Sequence, residues 1–125
     1  MSKIELKSEI APKAIGPYSQ GVKAGNLIFI SGQLPINAET GEMPTDITAQ
    51  TKQSIANLKA ILAEAGASLD NVVKSTVFLA DMSLFGEMNA VYSEEFKAPF
   101  PARSAFAVKE LPKKALVEIE VIASL

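Results

Sequence analysis

The chain has no cysteine and no histidine, and it has a single arginine against eleven lysines. Each shortage excludes chemistry. Without cysteine there is no thiol nucleophile and no disulfide. Without histidine there is no Ser–His or Cys–His pair and no imidazole-based zinc site. Metal binding would have to rely on oxygen ligands, and the fourteen carboxylates show no calcium-loop spacing. Acid–base chemistry therefore falls to Glu, Asp, Lys or Tyr. Nor is there an apolar run of membrane-spanning length or a charged head followed by an apolar stretch at the start, which points to the cytosol.

Positive charge is also thin. The net charge is −2, the pI is about 5.2, and the densest basic cluster is Lys109, Lys113 and Lys114. Nucleic-acid binding usually draws on a basic stripe that displaces counterions from phosphates, and none is visible here. A hydrophobic fraction of 48% beside a charged fraction of 21% hints instead at surface buried against other subunits.

The 125 residues amount to one domain, 1–125, enough to bury a core without disulfides. Turn signals punctuate the chain evenly, with no repeat and no linker. Ile4–Lys7 reads as a short edge strand. Tyr18–Ala24 and Leu27–Ser31 read as two strands joined by Gly25-Asn26, both of which tolerate positive φ. Gly32–Thr45 is a loop. Asp46 suits a helix N-cap whose carboxylate accepts from first-turn amides. Beyond it Ile47, Thr51, Ile55, Leu58, Leu62 and Ala65 recur at helical spacing, and Gly66 suits the C′ position. Val72–Ala80 is a strand. A second helix, capped by Asp81 or Ser83, runs to about Phe96 with Phe85, Met88, Tyr92 and Phe96 on one face. Ala102–Val108 and Leu116–Ala123 are the last strands. The order βββαβαββ predicts an α+β fold with both helices on one face of a mixed sheet.

The other face of that sheet is not cleanly polar. Leu116, Glu118, Glu120 and Ile122 share one row of the last strand, and Leu27–Ile30 is apolar on both faces. Either other copies of the chain cover this face, or an extended N-terminal segment folds over it.

Several residues are candidates for chemistry. Arg103 opens a strand directly after Pro99 and Pro101, and its planar donor fork matches a carboxylate. The plain alternative is a structural salt bridge. Glu118 and Glu120 share a strand face, where paired carboxylates raise each other's pKa; the plain alternative is a solvated pair. If the two strands are neighbours, Arg103 is available as Glu118's partner. Tyr18 offers a ring and a hydroxyl within a Gly- and Pro-rich turn. Ser31-Gly32 ends an apolar strand, where Gly32 can present its amide to an anion. Asn89 lies mid-helix, a place that asparagine does not favour.

Taken in order, AIGPYSQGV, FISGQLPIN with TGEMP, DITAQTKQSIANLKAILAEAG, VVKSTVFLADM, MNAVYSEEF, FPARSAFAVKELPKKA and VEIEVIA resemble the RidA (reactive intermediate deaminase, YjgF-like) family over almost the whole chain. The resemblance implies a chorismate-mutase-like fold assembled as a homotrimer, with clefts between subunits. It further implies hydrolysis of 2-iminobutanoate and 2-iminopropanoate to 2-keto acids and ammonia, with no cofactor and no metal. Arg103 would hold the substrate carboxylate beside the Gly32 amide, and Glu118 would position the attacking water. Tyr18, Ser31 and Asn89 would line the cleft, and the backbone at Ala105, where many members carry cysteine, would meet the imine nitrogen. The segment between Asn89 and Phe100 is shorter than in some members, at the rim of that cleft. Two other classes of function remain beside this one: a non-catalytic trimer that binds small carboxylates or keto acids, and an RNA-linked translation inhibitor.

Overall fold

A computed structural model describes residues 2–125. The element order is β1 (Lys3–Leu6), β2 (Gly21–Ala24), β3 (Leu27–Gln33), α1 (Ile47–Glu64), β4 (Val72–Leu79), α2 (Phe85–Glu95), β5 (Ala102–Ala107) and β6 (Val117–Ser124). The six strands form one sheet in the order β1-β2-β3-β6-β4-β5. Pairing is antiparallel except between β4 and β5, which run parallel through the α2 crossover. The expected α+β order is present, with both helices on one face.

Alternation along the strands assigns that face. Val117, Ile119, Val121 and Ala123 of β6 are buried, as are Ile28 and Ile30 of β3 and Val77 and Leu79 of β4. They meet Ile55, Leu58, Ile61 and Leu62 of α1 and Met88, Val91 and Tyr92 of α2 in one apolar cluster. Each such aliphatic side chain contributes about 1.5–3 kcal/mol when fully removed from water. Close packing is enforced at Gly21, where a Cβ would lie 3.0 Å from Ile61 Cγ2.

Several local expectations need correction. Asp46 does occupy the N-cap of α1, but its side chain makes no capping bond. Gln50 acts at that end instead: its amide donates to the Pro44 carbonyl at 2.8 Å, and its oxygen accepts from the Leu116 amide at 2.8 Å. Asp81 does cap, accepting from the Ser83 amide at 2.8 Å, but it caps a single 3₁₀ turn that precedes α2. Those Ser83 hydrogen bonds hold its carboxyl below the usual range. Tyr18 lies outside β2, in the turn before it, because Gln20 leaves the strand path. The Gln20 amide is buried and ties Ser8, Ala11 and Pro12 to the sheet edge. In the β2–β3 turn only Gly25 takes positive φ, at 61°.

The helix-free face stays open. It carries Phe29, Ile122, Phe78 and Phe106, and Phe29 and Phe106 are 40% and 46% exposed. The N-terminal segment does not cover it, because β1 extends the sheet edge alongside β2. Among the described residues no helix is long and apolar enough to cross a membrane.

The loop between β3 and α1 is pinned from below by Asn57. This buried side chain donates to the Leu34 and Ile36 carbonyls, both at 3.0 Å. Asn57→Ala leaves both acceptors without that donor and is expected to cost about 1–3 kcal/mol. Urea unfolding at fixed protein concentration checks this; a midpoint equal to the parent's would contradict it.

Candidate functional site

Arg103 is placed by the strand β5, where it stands in register with Ser75 of β4. Ser75 in turn pairs with Val121, a core residue, so the Arg103 side chain shares the helix-bearing face. There it meets α2. Its Nη1 donates to Asn89 Oδ1 at 2.7 Å, and its guanidinium carbon lies 4.6 Å from the Tyr92 ring centroid and 5.4 Å from that of Phe85. Neither a carboxylate salt bridge nor idle exposure describes this arginine. Among the described residues the one salt bridge is Lys59–Glu95, which does not involve it. Asn89, Tyr92, Ser93, Phe100, Pro101 and Arg103 line a depression of about 420 Å³. Ala105, two residues on in β5, faces the same way and packs against the core.

Glu118 is placed by β6, in register with Phe78 of β4, which is in register with Phe106 of β5. That row belongs to the open face. Glu118 and Arg103 therefore lie on opposite faces of one sheet, on strands separated by β4. The condition for Arg103 to partner Glu118 within a chain, that their strands be neighbours, is not met, and their registers have opposite parity.

Burial pushes the Glu118 carboxyl above the ordinary glutamate range, and the Glu120 charge two residues along adds to the shift. Gly32 explains the burial. β3 bulges between Ile30 and Gln33, so Ser31 and Gly32 together oppose Glu120. This brings the Gly32 backbone against the Glu118 carboxylate so closely that a Cβ there would overlap Oε2. The bulge also tethers the Tyr18 turn: the Ser31 hydroxyl donates to the Ser19 carbonyl at 2.6 Å, and the Ser31 amide to the Gln20 carbonyl at 2.9 Å. Tyr18 is half exposed. With Ser31, Phe29, Glu120 and Ile122 it lines a second hollow of about 490 Å³.

The seven candidates thus fall into two groups. Arg103, Asn89 and Ala105 gather on the helix face at the β5 edge. Tyr18, Ser31, Gly32 and Glu118 gather around the β3 bulge. Tyr92 was not among the candidates, since its spacing with Met88 and Phe96 reads as core. The i,i+3 relation of Asn89 and Tyr92 on α2 was the available signal. Among the described residues no three Asp, Glu, His or Cys side chains converge in a way that would hold a metal ion.

Comparison with known proteins gives a consistent match. A family described as Endoribonuclease L-PSP matches residues 8–125. A RutC family protein of Pyrococcus abyssi is 56% identical over 98% of both chains. The 2-iminobutanoate/2-iminopropanoate deaminase of Escherichia coli K12 is 50% identical over 94% of both. Among solved structures, the YjgF gene product of E. coli superposes with a TM-score of 0.92 at 48% identity, covering 97% of this chain and 98% of that one. E. coli TdcF with bound serine superposes with a TM-score of 0.95 at 42% identity, covering 98% of each.

The Glu118 environment sets a sign for stability. A carboxyl with a raised folded-state pKa binds more protons folded than unfolded between the ordinary glutamate range and its raised value. Stability is therefore lost as pH rises through that window. Glu118→Gln removes this loss, so at pH 7 it should unfold at a higher temperature than the parent, with the gap closing below the ordinary glutamate range. Thermal unfolding across pH measures it, and a gap that does not change with pH would contradict the assignment.

Proposed function

This chain belongs to the RidA (YjgF-like) family, and from that premise we propose that it hydrolyses short 2-imino acids, 2-iminobutanoate and 2-iminopropanoate, to 2-keto acids and ammonia. The observation that carries the reading is the Arg103 guanidinium. It is oriented by Asn89 on one nitrogen and lies at the wall of an open depression, with its other donors free to fork onto a carboxylate. The deaminase name of a relative at 50% identity supports the same substrate class.

The two groups of residues become one site when two copies meet. The open face, with Phe29, Phe78, Phe106 and Ile122, is the apolar surface that such an assembly would bury. We place the site in clefts of a cytoplasmic homotrimer, with Arg103, Asn89 and Ala105 from one subunit and Tyr18, Ser31, Gly32 and Glu118 from the next. Closed rings of this kind use a heterologous contact, which joins unlike surfaces.

In the proposed reaction Arg103 fixes the substrate carboxylate, each charge-assisted bond contributing about 1.5–3 kcal/mol. Anchoring places the C=N carbon beside a water held by Glu118, so orientation supplies much of the acceleration. The substrate enters as the protonated iminium, and Glu118 accepts a proton as the water adds to carbon, which gives the neutral carbinolamine. Glu118 returns that proton to the nitrogen, the C–N bond breaks, and ammonia leaves as the hydroxyl gives its proton back to Glu118 and becomes the carbonyl; ammonia finally takes that proton up as ammonium. A carboxyl whose pKa is raised by burial gives up its proton less readily than an ordinary glutamate, which suits a group that both takes and returns a proton. The backbone at Ala105 faces the imine nitrogen, and Tyr18 and Ser31 close the cleft.

One other reading has a specific observation behind it. E. coli TdcF has been solved with bound serine, a small carboxylate. A binding-only protein would use the same guanidinium, and turnover separates the two.

The test generates imino acid in situ with an amino-acid oxidase and follows keto-acid release against semicarbazide trapping. The parent should accelerate release and Arg103→Ala should not, at equal oligomeric mass. Arg103→Lys keeps the charge but loses the fork and should lower kcat/KM by about 10- to 100-fold. No acceleration by the parent leaves the binding-only account. Gly32→Ala displaces the Glu118 carboxylate and should cost about 100-fold in turnover; parental turnover would refute the role given to Glu118.

A further inference from the structure

The side chain beneath Arg103 is itself held in place. Tyr92 is 4% exposed, and its hydroxyl lies 2.6 Å from Ser75 Oγ, itself fully buried. Ser75 is the β4 residue in register with Arg103. Tyr92 also stacks on Phe96, with centroids 4.2 Å apart and planes inclined by 21°. A buried hydroxyl needs a partner, so the Ser75 bond fixes where the phenol oxygen points, and Phe96 restricts the tilt of the ring. What remains is a rigid aromatic face 4.6 Å from the guanidinium carbon.

We infer that Tyr92, locked by Ser75, is a positioning residue that aims the Arg103 guanidinium for carboxylate capture. The inference rests on the reading of Arg103 as the carboxylate clamp and deepens it. An arginine side chain has several rotatable bonds, and a fork that wanders loses the advantage of its fixed geometry. Asn89 constrains one nitrogen from within hydrogen-bonding distance. The Tyr92 face supplies a second constraint of a different kind, because a guanidinium is attracted to an aromatic face and stacks flat against it. Together they hold the guanidinium at the depression that Arg103 lines with Phe100 and Pro101. The triangle Ser75–Tyr92–Arg103 also joins β4, α2 and β5, so the clamp is referred to the rigid sheet.

The chain's single arginine makes the test direct. In ¹⁵N-labelled protein the Arg103 Nε–Hε signal is the one arginine side-chain signal of its kind. Ring currents from Tyr92 shift it, and its relaxation reports its mobility. Three variants, Tyr92→Leu, Tyr92→Phe and Ser75→Ala, are compared with the parent, using 2-oxobutanoate as the probe ligand. Tyr92→Leu should move the signal toward that of free arginine, raise its mobility, and weaken 2-oxobutanoate binding roughly tenfold. Tyr92→Phe keeps the aromatic face but loses the Ser75 bond, and Ser75→Ala loses the same bond, so both should fall between Tyr92→Leu and the parent in shift, mobility and affinity. These two also guard against a leucine variant that fails to fold. A signal in Tyr92→Leu with parental position and mobility would overturn the positioning role. A parental signal that does not respond to 2-oxobutanoate would overturn the clamp reading of Arg103 itself, and the task assigned to Tyr92 with it, even where the stack persists.

Discussion

The alternation of side chains across β4 governs the placement of every candidate group. β4 pairs with β5 on one side and β6 on the other. A residue of β5 and a residue of β6 face the same way only if they share a β4 partner of the same parity. Arg103 is tied to Ser75 and Val121, and Glu118 to Phe78 and Phe106. The first row is sealed by helices and the second is left open. A slip of one residue in either pairing would reverse the assignment and expose the core row to water, so burial of Val117, Ile119 and Val121 holds the register in place. The separation of Arg103 and Glu118 is thus a consequence of how the core packs.

The carboxylate half depends on a different device. The bulge at Ser31 and Gly32 bends β3 just where it passes Glu118, and the missing Cβ lets backbone and carboxylate share the space. Burial at that point raises the Glu118 pKa. The loop that follows is fixed by polar side chains of α1, Gln50 and Asn57, which bond to the carbonyls of Pro44, Leu34 and Ile36. A helix whose buried face carries amides among aliphatics therefore does two tasks: it seals the sheet and anchors the loop leaving the bulge.

Much of this was legible in the sequence. The stripe from Ile47 to Leu62 gave α1 within a residue or two, and Gly66, at φ 73°, ends it as expected. The apolar row of β6 and the mixed row opposite it were read correctly, because strand periodicity is local. What was missed depends on contacts distant in sequence. Nothing local says that β4 lies between β5 and β6, so the sequence leaves open whether Arg103 can partner Glu118. The Asp46 carboxylate suits a cap by type, yet the structure gives it no capping bond and uses Gln50 instead. Asn89 stood out only as an asparagine misplaced mid-helix, and its partner Arg103 comes from β5; Tyr92 reads as core, which it also is. The family resemblance implies one site for Arg103 and Glu118, while the fold of a single chain divides them between two faces of the sheet.

The central claim is that a working site needs Arg103 from one copy and Glu118 from another. Subunit mixing tests it directly. Arg103→Ala and Glu118→Gln chains, each inactive alone, are dissociated, combined in equal amounts and reassembled. If the site is shared, random pairing leaves roughly a quarter of the clefts with both parental groups, and imine hydrolysis returns to about that share of the parental rate. A reassembled mixture of parental oligomeric mass that stays inactive would place both groups in one chain's site and contradict the account.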